Sequence, residues 1–118
     1  MAGFAKLHLG RDAEAVVRLR RALEINPNFP SGQFYLAAAL ANLGRVDEAL
    51  MSYERAFAVE PSYADALHNA ALLLMRRREF SGALKLLDRL VTTSQSSVGE
   101  AKRLAHLCRL ELKQEQAR

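Results

Sequence analysis

The chain has 118 residues, enough for one continuous core and too few for two independent ones. Its 50% hydrophobic and 25% charged residues exclude a disordered chain, and three prolines and six glycines among many Ala, Leu, Arg and Glu favour helices. The net charge of +4 comes from interspersed acids and bases, so a nucleic-acid partner is not indicated, and the single Cys108 excludes an internal disulfide and a thiolate zinc cluster.

In chain order, residues 1–29 predict a short first helix over about 1–9, a turn at Gly10, and a second helix carrying Ala15, Leu19 and Ala22 that stops before Pro27. Over residues 30–63, Leu36, Ala37 and Leu40 form an apolar stripe on one helix, and Ala49, Tyr53 and Ala56 form one on the next. Gly44 marks the turn between them, where a left-handed residue ends a helix without a Cβ penalty, and Pro61 stops the second helix. Over residues 64–97 the corresponding positions are Leu67, Ala70, Ala71 and Leu74, then Ala83 and Leu87. A polar run over 92–97 follows, and Ser97 with Glu100 reads as a capping box for a closing helix over 98–113. Its inward positions are Ala101, Leu104, Ala105 and Cys108, and residues 114–118 read as a frayed tail.

These elements repeat. A displacement of 34 residues lays Gly10 on Gly44, Arg11 on Arg45, Glu14 on Glu48, and Ala15 on Ala49 and then Ala83. Leu19 falls on Tyr53 and Leu87, and Asn26-Pro27 falls on Glu60-Pro61. A fixed period of this length signals stacked helix pairs. With the alanines at helix crossings, where there is no room for a larger side chain, the reading is one all-α domain over residues 1–118.

The pattern resembles the tetratricopeptide repeat (TPR) family, whose period reads W-x2-L-G-x2-Y, then A-x3-F, then P. The middle unit matches best, with Leu36, Ala49, Tyr53 and Pro61 in place, while Gln33 stands for the tryptophan, Ala37 for the glycine and Leu40 for the tyrosine. The third unit is looser, with Gln95 where proline would be, and the first is truncated. The resemblance implies a right-handed solenoid of antiparallel helix pairs, about three repeats plus the closing helix.

No catalytic constellation emerges. His8, His68 and His106 lack a second ligand at i+3 or i+4, Cys108 falls on an inward stripe, and no Gly-rich phosphate loop, paired carboxylates or nucleophile turn is present. No enzyme activity, metal or cofactor is expected. The run Arg76-Arg77-Arg78 reads first as cations at a helix C-terminus. Residues 1–10 lack the apolar centre of an export signal and residues 70–75 are too short to span a bilayer, so a cytoplasmic location without a membrane partner is expected.

What the resemblance implies about function is a concave groove lined by the first helix of each unit. In the repeat register Tyr35, Asn69 and Arg103 form one row, and Phe34, His68 and Lys102 a second. Asn42, Arg76 and Leu110 form a third, with Ala38, Leu72 and His106 a fourth, and Met75 and Arg109 complete the candidate peptide-binding set. Asn69 and Arg103 resemble part of the carboxylate clamp of chaperone-binding relatives, but Phe34 and Ala38 stand where that clamp needs a lysine and an asparagine. The expected partner is another protein or peptide, acidic or ending in a free carboxylate, bound by a scaffold or adaptor module. The alternatives are a self-assembling segment of a longer array or homo-oligomer, and repeats that recruit substrate for a larger enzyme.

Overall fold

A computed structural model of the chain describes residues 2–93 and 98–117, with side chains for residues 10–92 and 99–117. The described residues form six α-helices and no strand: α1 (Ala2–Ile25), α2 (Pro30–Asn42), α3 (Val46–Val59), α4 (Ala64–Arg76), α5 (Phe80–Thr93) and α6 (Val98–Ala117). They fall into two compact units, Met1–Glu60 and Pro61–Arg118. The expected capping serine, Ser97, and Gln95 lie outside the described residues.

In the first unit α2 packs against both α1 and α3. Proline in the first turn of α2 costs nothing, because that N–H has no intrahelical acceptor. The extended Phe29 before it folds its ring over Gly32, where a Cβ would stand 2.5 Å from Phe29 Cδ2. Leu36, Ala37 and Leu40 on α2 and Ala49, Tyr53 and Ala56 on α3 are all buried, as their spacing predicts. Gly44 takes φ +81° and ends α2; its N–H donates to Ala41 O (3.0 Å), and the N–H of Arg45 donates to Leu40 O (2.9 Å). Asp47 and Glu48 then place negative charge in the first turn of α3, where the helix dipole favours it.

In the second unit α5 packs against both α4 and α6. Leu67, Ala70, Ala71, Ala83, Leu87, Leu90, Ala101 and Cys108 are each 0% exposed. Transfer of this apolar surface out of water, about 25 cal/mol per Å², is what holds the helices together.

Two elements differ from the sequence expectation. The turn expected at Gly10 is absent, and residues 2–25 form one continuous helix. Gly10 has no positive φ, and a Cβ there would meet nothing within 4 Å, so nothing in the fold requires a turn. A glycine inside a helix costs only about 1 kcal/mol, whereas a break would orphan carbonyls that the continuous helix pairs. At the other end α6 runs on to Ala117 instead of fraying after Lys113. Glu111 and Glu115 on its last turns lie 3.3 and 4.0 Å from Arg78 Nη2, which holds that end against the α4–α5 turn.

Candidate functional site

On α2, Tyr35 and Asn42 are seven residues apart and therefore share a face, opposite the buried Gln33, Leu36 and Leu40. Tyr35 is 60% exposed. Phe34 beside it is half-buried and anchored edge-to-face between Tyr35 (centroids 5.7 Å apart) and Tyr53 (5.6 Å). Asn42 is exposed, with its Nδ2 3.5 Å from Asp12 Oδ1 on α1. This face of the first unit is an aromatic surface set on a buried tyrosine.

The second unit carries the other eight predicted residues. On α4, His68, Leu72 and Met75 recur at i, i+4 and i+7, and all three are half-buried; Asn69, half-buried, and Arg76, exposed, form a neighbouring stripe. On α6 the basic residues expected to act together divide between two faces. Arg103 is exposed, its Nη2 3.9 Å from Glu100 Oε1, and the same carboxylate oxygen lies 3.9 Å from His68 Nε2. Lys102 and Arg109 instead line a shallow cavity of about 350 Å³ with Ala105 and with Asp88 and Val91 of α5. Arg109 donates from Nη2 to Asp88 Oδ1 at 3.2 Å. The counter-charge thus comes from Glu100 and Asp88.

The arginine run ending α4 is absorbed by the turn. Arg77 Nε pairs with Glu79 at 2.7 Å, and Arg78, at φ +60°, lies over the Phe80 ring (5.2 Å) and reaches Glu111. Cys108 is a buried free thiol, its pKa pushed up by burial against the opposing charge of Arg109, so it is a core residue and a poor nucleophile. No group of three His, Cys, Asp or Glu side chains among the described residues could hold a metal ion, and no described helix is long and apolar enough to cross a membrane.

One crevice was not among the predicted sites. It lies in the first unit, encloses about 480 Å³, and opens between α1 and α3 above Gln33, Leu36 and Leu40 of α2. Gln33 is 7% exposed, and its Oε1 accepts no hydrogen bond from any described residue. At the rim Glu48 binds Arg45 (Nη2 to Oε1, 3.0 Å) and lies 3.5 Å from Arg20. The Arg45 hydrogen bond holds the Glu48 carboxyl below the usual carboxylate range against the desolvation that raises it, with smaller help from Arg20. The one sequence signal for this crevice was Gln33 in the place of the family's tryptophan.

Two family models match the chain: a TPR repeat over residues 5–44 and a tetratricopeptide repeat over residues 44–108, the latter more than half of its length. The chain belongs to the tetratricopeptide-repeat family. Among solved structures the TPR2B domain of yeast Sti1, in its complex with pHsp70, superposes with a TM-score of 0.74 at 24% identity, covering 93% of this chain and 97% of that one. The Sgt2 TPR domain from Aspergillus fumigatus gives 0.73 at 20% identity, covering 99% and 78%. The Yersinia enterocolitica type III secretion translocator chaperone SycD gives 0.71 at 16%, covering 96% and 80%. These likenesses establish the all-α TPR fold of helix pairs. No curated protein matches the sequence. TPR domains are in general protein-interaction modules.

Proposed function

We propose that this TPR chain is a scaffold or adaptor module that binds an acidic segment, or the free carboxylate end, of a partner polypeptide through the α4 and α6 surface of its second unit. The observation that carries the reading is Arg103, whose side chain is 72% exposed and engaged only loosely by Glu100 at 3.9 Å. A guanidinium so placed can exchange a weak surface pair for two parallel hydrogen bonds to a carboxylate. Asn69 adds a neutral polar group, and His68, Leu72 and Met75 an adjoining half-buried stripe. On the first unit, Phe34 and Tyr35 offer an aromatic contact for apolar side chains of a polypeptide, with Asn42 a polar group beside them. Arg76 adds to the positive field of the second unit, as do Lys102 and Arg109 from the cavity beside α5. The Sti1 structure, a TPR domain in a complex with pHsp70, supports a polypeptide as the class of partner.

The test is a calorimetric titration of acidic peptides, with free and with amidated C-termini, at two ionic strengths. Arg103→Ala should weaken binding about tenfold to a hundredfold, since a charge-assisted hydrogen bond contributes about 1.5 to 3 kcal/mol. Tyr35→Ala should weaken it with little change in salt dependence. Binding unchanged in Arg103→Ala, or equal for uncharged peptides, would overturn the assignment.

A second reading is self-association, favoured by the exposed Leu107 (44%) and Leu110 (42%) on α6. Light scattering distinguishes them: a stable dimer dispersed by Leu110→Lys supports assembly, and a monomer at high concentration rejects it.

A further inference from the structure

The crevice of the first unit lies on the opposite side of α2 from Tyr35 and Asn42 and uses none of the residues assigned above. Its floor is apolar, formed by Leu23, Leu36 and Leu40, and its volume of about 480 Å³ falls in the range of small-ligand sites, about 300 to 1,000 Å³. Two features set it apart from an ordinary surface groove. The Gln33 side chain in its wall is more than nine-tenths buried, yet its Oε1 has no donor among the described residues. A buried acceptor left in this state carries a desolvation penalty that any correctly placed N–H or O–H would relieve. Oε1 is itself screened from solvent, and because the terminal torsion of a glutamine is soft the amide can turn to present it to an occupant.

The second feature is the lip. Met51, which is 54% exposed, and Arg55 stand on the α3 side of the opening. A thioether and a guanidinium both pack favourably on an aromatic ring. The rim charges, Arg20 and Arg55 against Glu24 and Glu48, balance, so they select no charged occupant. The site therefore calls for a neutral aromatic group with a hydrogen-bond donor and no need of an acceptor. Of the natural side chains the indole of tryptophan has that inventory: Phe has no donor, and the Tyr hydroxyl brings acceptor lone pairs that would need satisfying as well.

We infer that the crevice between α1 and α3 is a docking pocket for a tryptophan side chain of a partner polypeptide, with the indole ring on Leu23, Leu36 and Leu40 and its N–H donated to Gln33 Oε1. Tryptophan is also among the residues most often found anchoring protein interfaces in desolvated pockets.

The chain itself contains no tryptophan, so indole fluorescence in a mixture reports the probe alone. The probe is the blocked tripeptide acetyl-Gly-Trp-Gly-amide, titrated with the full chain and followed by emission shift and by the methyl resonances of Leu23, Leu36 and Leu40. Saturable binding is expected, with a blue-shifted emission and shifts at those methyls. The same peptide bearing an N1-methylated indole should bind about tenfold more weakly, and a phenylalanine peptide similarly, because each lacks the donor. Gln33→Leu should reproduce that loss for the tryptophan peptide and erase the difference between it and its methylated form. Met51→Ala, at an exposed position that folding does not depend on, should weaken binding about threefold if the thioether packs on the ring. Arg103→Ala should leave all of this unchanged, which separates this site from the one proposed on the second unit. No saturation at millimolar probe, equal affinity for the methylated indole, or methyl shifts that spare all three leucines would each overturn the inference. Should Gln33→Leu fail to fold, the methylated peptide and Met51→Ala decide it.

Discussion

At the α2–α3 turn the chain reverses through Gly44 at φ +81°, and one period later, at the α4–α5 turn, it reverses through Arg78 at φ +60°. The backbone bonding is the same in both. Gly44 and Arg78 donate to the carbonyls of Ala41 and Met75, each at 3.0 Å, and Arg45 and Glu79 to those of Leu40 and Leu74. Glycine adopts this conformation freely, whereas a residue with a Cβ pays about 1 to 2 kcal/mol for it. The arginine is kept there by its side chain, which lies over Phe80 and reaches Glu111 and Glu115. One geometry is thus reached by two routes, by removing a steric cost in the first unit and by offsetting it with long-range contacts in the second.

If the two units obey the same packing rule, the largest substitutions should affect them alike. Ala49→Phe and Ala83→Phe each overfill a crossing where the alanine is 0% exposed, and each should cost about 1 to 3 kcal/mol in thermal or urea unfolding. An unchanged melting temperature for either would show that its crossing is not close-packed. The turns themselves should respond oppositely. Gly44→Ala should destabilise by about 1 to 2 kcal/mol, since a Cβ enters the left-handed region with nothing to compensate. Arg78→Gly should change stability by less than about 0.5 kcal/mol, relief of strain cancelling the lost contacts, while Arg78→Ala, which keeps the strain and loses the contacts, should be the worse of the two. If Arg78→Gly instead costs as much as Arg78→Ala, the contacts outweigh the strain and the comparison must be redrawn.

The helix stripes, the Gly44 turn and the stop before Pro61 were legible because each leaves a mark in composition or period. Arg78 left only its place, one period after Gly44: a positive φ held by contacts from α6 is a tertiary fact, and the residue itself argues against it. The continuous α1 was illegible for the converse reason. Gly10-Arg11 repeats the text of Gly44-Arg45, but a glycine permits a turn without imposing one. For the candidate site, the register supplied which residues share a row, and it could not reveal that Lys102 and Arg109 line a cavity with Asp88 of α5 while Arg103 meets Glu100. Gln33 showed only as a stand-in for the family's tryptophan, because whether a buried amide is satisfied depends on neighbours from three helices.

The smallest effects concern titration at the two ends of the comparison. Glu48, beside the Gly44 turn, is held below the usual carboxylate range chiefly by Arg45, so its contribution is present above an ordinary carboxylate pKa of about 4.3 and is lost as pH falls through its lower folded value. Arg45→Gln should move the acid-unfolding midpoint slightly upward in pH, and an unmoved midpoint would show the pair to be inert. Cys108 in the second unit is shifted the other way. Its buried thiol favours the protonated form, so that contribution holds below the usual thiol pKa of about 8.5 and fades as pH rises through the higher folded one. At pH 8 Cys108 should react with a thiol-specific reagent far more slowly in the folded chain than in urea, and equal rates would contradict its burial.

The arginine-built turn also bears on how the protein meets a protease. Arg76, Arg77 and Arg78 are three adjacent trypsin sites, and the amides of Arg77, Arg78 and Glu79 are all tied back to carbonyls of α4 at 2.8 to 3.2 Å. A protease takes its substrate as an open, extended segment, so cleavage in this run must wait for the turn to release those bonds together with the grip of Arg78 on Phe80 and Glu111. The rate of cutting in this run, set against that at Arg45 in the glycine turn, therefore reads out how often each turn opens.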